Sequence, residues 1–549
     1  MITYDRKPED YKHWIINVNN ERATLFLNVS EKDGIRPGYE LKLNSYDLGV
    51  DIELNDIVQR LRFEHPKVKV VVITSKQEKN FSAGANIYML GKSEHTWKVN
   101  FCKFTNETRN GFEDSSNSGS LKFIAAINGI CAGGGYEIAL ACDEILLVDD
   151  RSSTVSLPEV PLLGVLPGTG GVTRLIDKRK VRKDLADIFC TNADGVRGNK
   201  ALDWKLVDYI APPSKFDKLI DDRSKNISKY VKKRGGTKGV NLDKLTRKIT
   251  NKGIRYETIF SEINKDTRIA NINISGPNKD DLIGMKDVYK KGSNWWPLKF
   301  VRELDDLILM LRTNELEVGM ITIRSKGNNK YIKELSEILY KNKDSWFINE
   351  ILGFLRRTLS RLDLSSRSIF TIIDNESCFS GILSELLFCA DRTYMLDNSF
   401  SDLNKNGPYI SISELNFESL EMVNGQTRLE TRFNDNQNKI SKLKKLINKD
   451  LNAKEAFEAE LITVIPDDLD WQEEIRLSIE ERTTFSPDAL TGLEANLRFP
   501  GKESCETKIF GRLSAWQNWI FNRPNAVSDK GALKLFGTGS KAKFDNKRV

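Results

Sequence analysis

The residue types best suited to chemistry gather in three short stretches of the first 171 residues. Phe81-Ser82-Ala83-Gly84-Ala85-Asn86 is a run of small residues directly after a buried-strand pattern. Gly133-Gly134-Gly135-Tyr136-Glu137 leads into an apolar segment ending at Cys142. Leu157-Pro158-Glu159-Val160 is followed by Gly164-Val165-Leu166-Pro167-Gly168-Thr169-Gly170-Gly171. Glycines that open a helix have two common uses. Their backbone N–H groups cradle a phosphate or an oxyanion, and the missing Cβ lets ligand atoms approach closely. A carboxylate on the first turn after them, with a second at a Pro-Glu corner, is a combination suited to paired acid–base work. Taken singly, Glu137 also suits a favourable charge at a helix N-terminus and Glu159 a turn carboxylate.

Other chemistries are poorly served. The triple glycine lacks the Lys-Ser/Thr of a P-loop and the G-x-G-x-x-G spacing of a dinucleotide fingerprint. The three histidines, His13, His65 and His95, are scattered singly, which disfavours a Ser-His-Asp triad or a histidine-rich metal site. Seven cysteines, an odd number with no CxxC, argue against a disulfide framework or zinc knuckle. Acid–base work therefore falls to carboxylates, and neither a metal nor a redox cofactor is expected.

The elements that must position these residues follow from periodicity. Strand-like stretches at 14–18 and 23–27 precede an amphipathic helix near 51–62, with Leu54, Ile57, Val58 and Leu61 at helical spacing. Two further β-rich runs, 68–74 and 123–127, suit buried strands, so the pattern is that of an α/β domain. The pattern is then written again. At an offset of 250, Glu53, Leu54, Asp56, Leu61 and Arg62 fall on Glu303, Leu304, Asp306, Leu311 and Arg312. On the following strand, Val68, Ile73, Ser75 and Lys76 fall on Val318, Ile323, Ser325 and Lys326. At an offset of 248, Glu137 and Asp143 fall on Glu385 and Asp391. The second half reads as a diverged copy of the first. The basic stretch 215–252, with Lys232-Lys233-Arg234-Gly235-Gly236 near its middle, reads as a solvated link. The stretches 434–452 and 471–482 read as polar helices, and the tail from 531 is basic and glycine-punctuated.

Of 549 residues, 39% are hydrophobic and 29% charged, a globular balance that argues against fibrous or wholly disordered classes. The net charge of +7 permits an anionic ligand without requiring one, and no aromatic-interleaved basic motif points to nucleic acid. No run approaches the roughly 18–20 apolar residues of a membrane span, and the first residues lack a secretory apolar core. The expectation is a cytoplasmic protein without membrane contact.

The small-residue loop, Gly133-Gly134-Gly135-Tyr136-Glu137 and Leu157-Pro158-Glu159 resemble the signature of the crotonase, or enoyl-CoA hydratase/isomerase, superfamily. That resemblance implies a crotonase-like spiral of ββα units, here duplicated, with helical C-terminal extensions. It divides the chain into a catalytic domain over 1–260, including the basic link, and a diverged domain over 261–549. It also implies a site. The backbone N–H groups of Ala85 and Gly134 would hold a thioester oxygen, Glu137 and Glu159 would be acid and base, and Lys42, Leu43 and Ala83 would contact the CoA moiety. Cys102 would lie in the segment lining the acyl pocket, where a small buried thiol is the plainer reading.

Longer stretches, 35–48, 97–104 and 531–537, are similar to a ring-opening branch of the superfamily. They imply attack of two waters on 2,3-epoxybenzoyl-CoA, giving 3,4-dehydroadipyl-CoA semialdehyde and formate. Asn86 stands where the superfamily often has Asp, and the two glutamates are somewhat further apart than in plain hydratases; both departures point away from simple hydration. In the second copy Ile382 and Leu383 replace Gly134 and Gly135, and no Pro-Glu corner follows, so that copy is expected to be structural and catalytically dead. An acyl-CoA thioester is the expected partner, and a homodimer the expected assembly. An ordinary enoyl-CoA hydratase or isomerase, a non-catalytic acyl-CoA-binding protein and an RNA-binding sideline are the alternatives.

Overall fold

The computed structural model describes residues 1–231, 234, 238–398 and 407–549. Lys232, Lys233, Gly235 and Gly236 of the basic stretch lie outside the described residues. The chain forms two compact units. The N-terminal unit holds 2–244 together with 345–350, and the C-terminal unit holds 245–344 and 351–549.

In the N-terminal unit, β1 (Trp14–Asn19) and β2 (Arg22–Leu27) form an antiparallel hairpin. The helix α1 (Leu48–Phe63) leads to β3 (Val70–Ser75), which pairs parallel to β2. After β4 (Asn80–Ser82), α2 (Ile87–Lys92) and α3 (His95–Asn117) come β5 (Lys122–Ile127), β6 (Ile130–Ala132), α4 (Gly134–Ala141) and β7 (Glu144–Val148). The short β8 (Val155–Ser156), α5 (Glu159–Leu163), β9 (Tyr209–Ala211) and α6 (Pro213–Tyr230) complete the part that matters for the site. The main sheet runs β1-β2-β3-β5-β7-β9. Strands β3, β5 and β7 are near-continuous apolar runs because both faces are covered, as parallel strands require.

The basic stretch is more than a solvated link. Phe216, Leu219, Ile220 and Ile227 of α6 pack on Val70, Val72, Ile124, Ala126 and Leu146 of the sheet. Arg234 is buried, donating to the carbonyls of Arg62 and Val68 at 3.1 Å each. The charged face of α6 is exposed, but its apolar face closes the core, so this helix is integral to the unit.

The C-terminal unit repeats the design. Its sheet runs β10-β11-β12-β13-β14-β15-β16 (Lys248–Thr250, Gly253–Arg255, Ile259–Asn264, Ile269–Ser275, Met320–Lys326, Ser368–Ile373 and Arg392–Met395). An antiparallel hairpin is again followed by three parallel strands. The repeat extends to register and to side-chain hydrogen bonds. Ile73 pairs with Leu25, and Ile323 pairs with Ile272. The Glu53 carboxylate accepts from the Lys12 and His13 amides that precede β1, both at 2.9 Å. Glu303 accepts from the Glu257 and Thr258 amides that precede β12, at 3.2 and 2.8 Å. Tyr11 donates to Asp56, and Tyr256 to Asp306. Asp143 holds the Phe123 amide and Asp391 the Ile369 amide, each at 2.8 Å. Among the identities at offset 250, Glu53/Glu303 and Asp56/Asp306 thus hold the residues that lead into β1 and β12.

The units divide at Lys244/Leu245 rather than at 260/261, because β10 and β11 extend the second sheet by pairing with each other and with β12. The anticipated polar helices correspond to α-helical residues Gln437–Lys444 and Trp471–Thr484. The second of these places Ile475 and Ile479 on Met320, Phe370, Ile372 and Tyr394, the role α6 has in the first unit.

Candidate active site

A second, smaller sheet positions the chemistry. Strands β4, β6 and β8 pair in parallel, so their C-terminal ends emerge side by side. β4 runs into Ala83-Gly84-Ala85-Asn86, β6 into Gly133-Gly134-Gly135, and β8 into Leu157-Pro158-Glu159. Three stretches separated by dozens of residues in sequence therefore meet at one edge.

The glycines are set by close contact rather than by flexibility alone. A Cβ on Gly84, at φ +81°, would lie 2.6 Å from the Gly134 nitrogen. One on Gly135 would lie 2.7 Å from both the Cβ and the carbonyl oxygen of Ser82. The small-residue loop and the start of α4 thus touch backbone to backbone. Opposite, Tyr46 pairs with Ala85 in a parallel bridge: the Tyr46 amide donates to the Gly84 carbonyl and the Asn86 amide to the Tyr46 carbonyl, both at 2.9 Å. This register uses the Gly84 carbonyl and the Asn86 N–H on either side of Ala85 and leaves the Ala85 N–H without a protein acceptor among the described residues. The Gly134 N–H, in the first turn of α4, is equally unengaged by the protein. Two amide donors left open on adjoining segments have the character of an oxyanion hole.

Glu137, on the first turn of α4 and only 2% exposed, is held by the glycine-rich loop. Its Oε1 accepts from the Thr169 and Gly171 amides at 3.0 and 2.8 Å, and its Oε2 from the Thr169 hydroxyl. A Cβ on Gly171 would sit 2.9 Å from Oε1, which explains the glycine there. Glu137 therefore does more than cap its own helix. Glu159 opens α5 beneath Gly133, whose φ of +52° and absent Cβ leave room for the Glu159 Oε1. The Glu159 Oε2 is buried and has no hydrogen-bond partner among the described residues. Burial, reinforced by the charge of Glu137, pushes the Glu159 carboxyl up to about 7. One carboxylate is thus fully engaged, and its neighbour is poised near neutrality with a free oxygen.

Lys42, Leu43 and Ala83 come together at the rim. The Ala83 amide donates to the Leu43 carbonyl at 3.1 Å, and both side chains are exposed. Lys42 is exposed beside Glu40, 3.1 Å away. Leu43 and Asn44 are left-handed, at φ +57° and +50°, a conformation held by the Asn44 side chain. Its amide donates to Ser75 Oγ at 2.8 Å and its oxygen accepts from Val29 at 3.0 Å. Cys102, on α3, faces the glycine-rich loop: a Cβ on Gly168 would lie 3.4 Å from its sulfur. Burial and the Glu137 charge push its thiol up to about 11, so it stands there as a neutral wall residue.

Asn86 is explained by its neighbours. Its amide donates to the Glu40 carbonyl at 2.7 Å and to Ser45 Oγ at 3.0 Å, while its oxygen caps α2. An ionised aspartate could not donate to the Glu40 carbonyl, so the asparagine amide holds this loop in place.

Sequence reasoning missed Tyr46, Asp51 and Arg109. All three are buried; Arg109 donates to Asp51 Oδ1 at 3.0 Å and to the Tyr46 hydroxyl at 2.8 Å. The available signal was a charged residue on the apolar face of each of α1 and α3, a pattern that burial permits only in pairs.

The C-terminal unit holds the counterpart in a closed state. Glu385 accepts from Arg428 at 3.1 Å and from Asn416 at 2.7 Å, and Arg428 also pairs with Asp363 at 2.6 Å. All four side chains are buried, with Ile382 and Leu383 packed at the positions of the open glycines. Among the described residues this unit has no small three-stranded sheet.

Comparison with known proteins agrees with this picture. A family model described as enoyl-CoA hydratase/isomerase matches residues 40–267. The chain is 54% identical, over all of its 549 residues and 98% of the relative, to a benzoyl-CoA-dihydrodiol lyase of Aromatoleum evansii. Among solved structures, an enoyl-CoA hydratase of Geobacillus kaustophilus HTA426 is 30% identical, covering 40% of this chain and 75% of its own, with a TM-score of 0.35. One from Bacillus anthracis is 24% identical over 40% of this chain and 77% of its own, with a TM-score of 0.34. With a near full-length relative at this identity and the family model matched, the chain belongs to the benzoyl-CoA-dihydrodiol lyase family of the enoyl-CoA hydratase/isomerase superfamily.

Proposed function

We propose that the protein opens the ring of 2,3-epoxybenzoyl-CoA with two waters, giving 3,4-dehydroadipyl-CoA semialdehyde and formate. The observation that carries this beyond family membership is the pairing of an engaged carboxylate, Glu137, with Glu159, which is poised near 7 and has a free oxygen. A group at that value gives and takes protons at neutral pH, which a sequence of two water additions demands.

The reaction is redox-neutral, and its atoms balance without a cofactor. The first water opens the epoxide to a diol, with Glu159 returning a proton to the ring oxygen. Cleavage of the C2–C3 bond then passes the bonding electrons into the ring's double bonds, leaving an enol at each end, and transfer of the two hydroxyl protons to C1 and C4 turns both ends into aldehydes. The C2 aldehyde is now attached to C1, next to the thioester. The second water adds to it, the C1–C2 bond breaks, formate leaves, and the electron pair delocalises onto the thioester oxygen as an enolate. The Ala85 and Gly134 N–H groups are placed to receive that charge, and each such donor is worth about 3–4 kcal/mol. Glu137, fixed by Thr169 and Gly171, supplies the charge that orients the attacking water. Lys42, Leu43 and Ala83 contact the CoA moiety, and Cys102 walls the acyl pocket.

No helix among the described residues is long and apolar enough to cross a membrane. The reading includes a cytoplasmic location, where CoA thioesters are handled. It also includes a homodimer, in keeping with the exposed Phe510, Leu513, Phe521 and Phe536 of the C-terminal segment. The test is incubation with 2,3-epoxybenzoyl-CoA and mass detection of formate and the semialdehyde. Absence of both overturns the assignment, and hydration of crotonyl-CoA in their place supports a plain hydratase.

A further inference from the structure

We propose that the Tyr46 hydroxyl is a third donor to the thioester oxygen, a side-chain member of the oxyanion hole polarised by Arg109. The proposal rests on reading the Ala85 and Gly134 amides as the thioester site.

Tyr46 touches both halves of that site. Its backbone brackets Ala85, as described above, and so fixes the direction of the Ala85 N–H. Its hydroxyl lies against Gly134: a Cβ there would sit 1.9 Å from the oxygen. The glycine is therefore required by the tyrosine as much as by any ligand. The ring is 1% exposed and packs at 6.1 Å from Phe101.

The hydroxyl's only hydrogen bond among the described residues is one it accepts, from Arg109 at 2.8 Å. Its own proton has no acceptor, although the group is cut off from bulk water. A buried donor without a partner costs roughly 1–3 kcal/mol, which points to a partner that arrives with the substrate. The acceptor nearest to hand in the proposed complex is the oxygen bound by the adjoining Gly134 and Ala85 amides. Arg109 makes the phenol a stronger donor by withdrawing electron density from its oxygen. Asp51 neutralises Arg109 at 3.0 Å and, with the Thr105 carbonyl at 3.1 Å, fixes the guanidinium. Burial holds the phenol well above its ordinary ionisation range, so it keeps its proton throughout neutral pH. Tyr46 is then a catalytic residue, and Arg109 and Asp51 are positioning residues.

The test is Tyr46→Phe, which keeps the ring and the backbone bridge and removes only the hydroxyl. We expect kcat for ring opening to fall about a hundredfold with KM little changed. The carbonyl stretch of bound benzoyl-CoA, measured by infrared difference spectroscopy, should lose part of the red shift seen in the wild type. If Tyr46→Phe does not fold, 3-fluorotyrosine at position 46, a stronger donor of nearly the same shape, should increase that red shift. An unchanged kcat with an unchanged carbonyl band in Tyr46→Phe overturns the proposal, as does an unmoved band with 3-fluorotyrosine. The two readings separate cleanly. If the wild type releases no formate but Tyr46→Phe alters the benzoyl-CoA band, ring opening fails and the Tyr46 role stands. If both proteins release formate at equal rates and the band is unmoved, the Tyr46 role fails and ring opening stands.

Discussion

Removing the charge of Glu137 should lower the ionisation midpoint of Glu159 while leaving it above that of an ordinary glutamate. Two causes raise the Glu159 carboxyl from 4.5 to about 7, and burial outweighs the Glu137 charge. In Glu137→Gln burial remains the larger of the two raising causes, offset only by the weaker effect of a backbone hydrogen bond, so the midpoint should fall below 7 and stay above 4.5. The same balance predicts a pH-dependent stability. Because the fold favours protonated Glu159, its stabilising contribution is full below about 4.5 and is lost as pH rises through 7. At about 1.4 kcal/mol per pH unit, the difference between 7 and 4.5 amounts to about 3 kcal/mol. Between pH 4.5 and 8, Glu159→Gln should therefore flatten the fall of unfolding free energy by about that amount. Carbon-13 NMR of carboxyl-labelled glutamate gives the midpoint directly, with the Glu159 resonance assigned by its loss in Glu159→Gln. A Glu159 midpoint that does not move in Glu137→Gln would show that the two carboxylates do not sense each other. A midpoint that drops to the ordinary value would show that burial is not the dominant cause. Either result refutes the electrostatic account of the site.

Two further outcomes follow from packing. Gly134→Ala places a methyl 1.9 Å from the Tyr46 hydroxyl, so it should cost about 1–3 kcal/mol by overpacking and lower ring-opening turnover at least a hundredfold; calorimetry and formate release measure the two effects, and near-wild-type turnover would contradict the close approach. Glu385→Gln in the C-terminal unit should leave turnover intact but lower stability by about 3 kcal/mol, because Arg428 loses one of its two buried carboxylate partners; loss of turnover with unchanged stability would mean that this unit carries chemistry.

Much was legible in the sequence because it depends on local pattern. The buried strands announce themselves as β-branched runs, as at Val70–Ser75, and α1 by its apolar spacing. The duplication was visible at offset 250 because Glu53 and Glu303, and Asp56 and Asp306, do the same work of fixing strand starts in both units. Glu137, Glu159 and the glycines stood out because few folds place carboxylates and open backbone so close in sequence. The basic stretch was misjudged because its charges outnumber Phe216, Leu219, Ile220 and Ile227, although four apolar side chains on one face are enough to close a core. The structural bonds of Asn86 were not legible, because the Glu40 carbonyl and the Ser45 hydroxyl reach its amide only once the chain has folded.

By itself, the sequence determined where the buried strands of the first sheet lie, that the design is written twice, and which family the chain resembles. Only the tertiary structure decided that β4, β6 and β8 end side by side, because parallel pairing between distant segments is set by the packing of the whole sheet. It alone decided that Glu159 is poised near neutrality, since desolvation depends on everything that surrounds a carboxyl. It alone brought Asp51, Arg109 and Tyr46 together behind Gly134. A side chain's type is local, but the dielectric around it and the partner it meets belong to the fold.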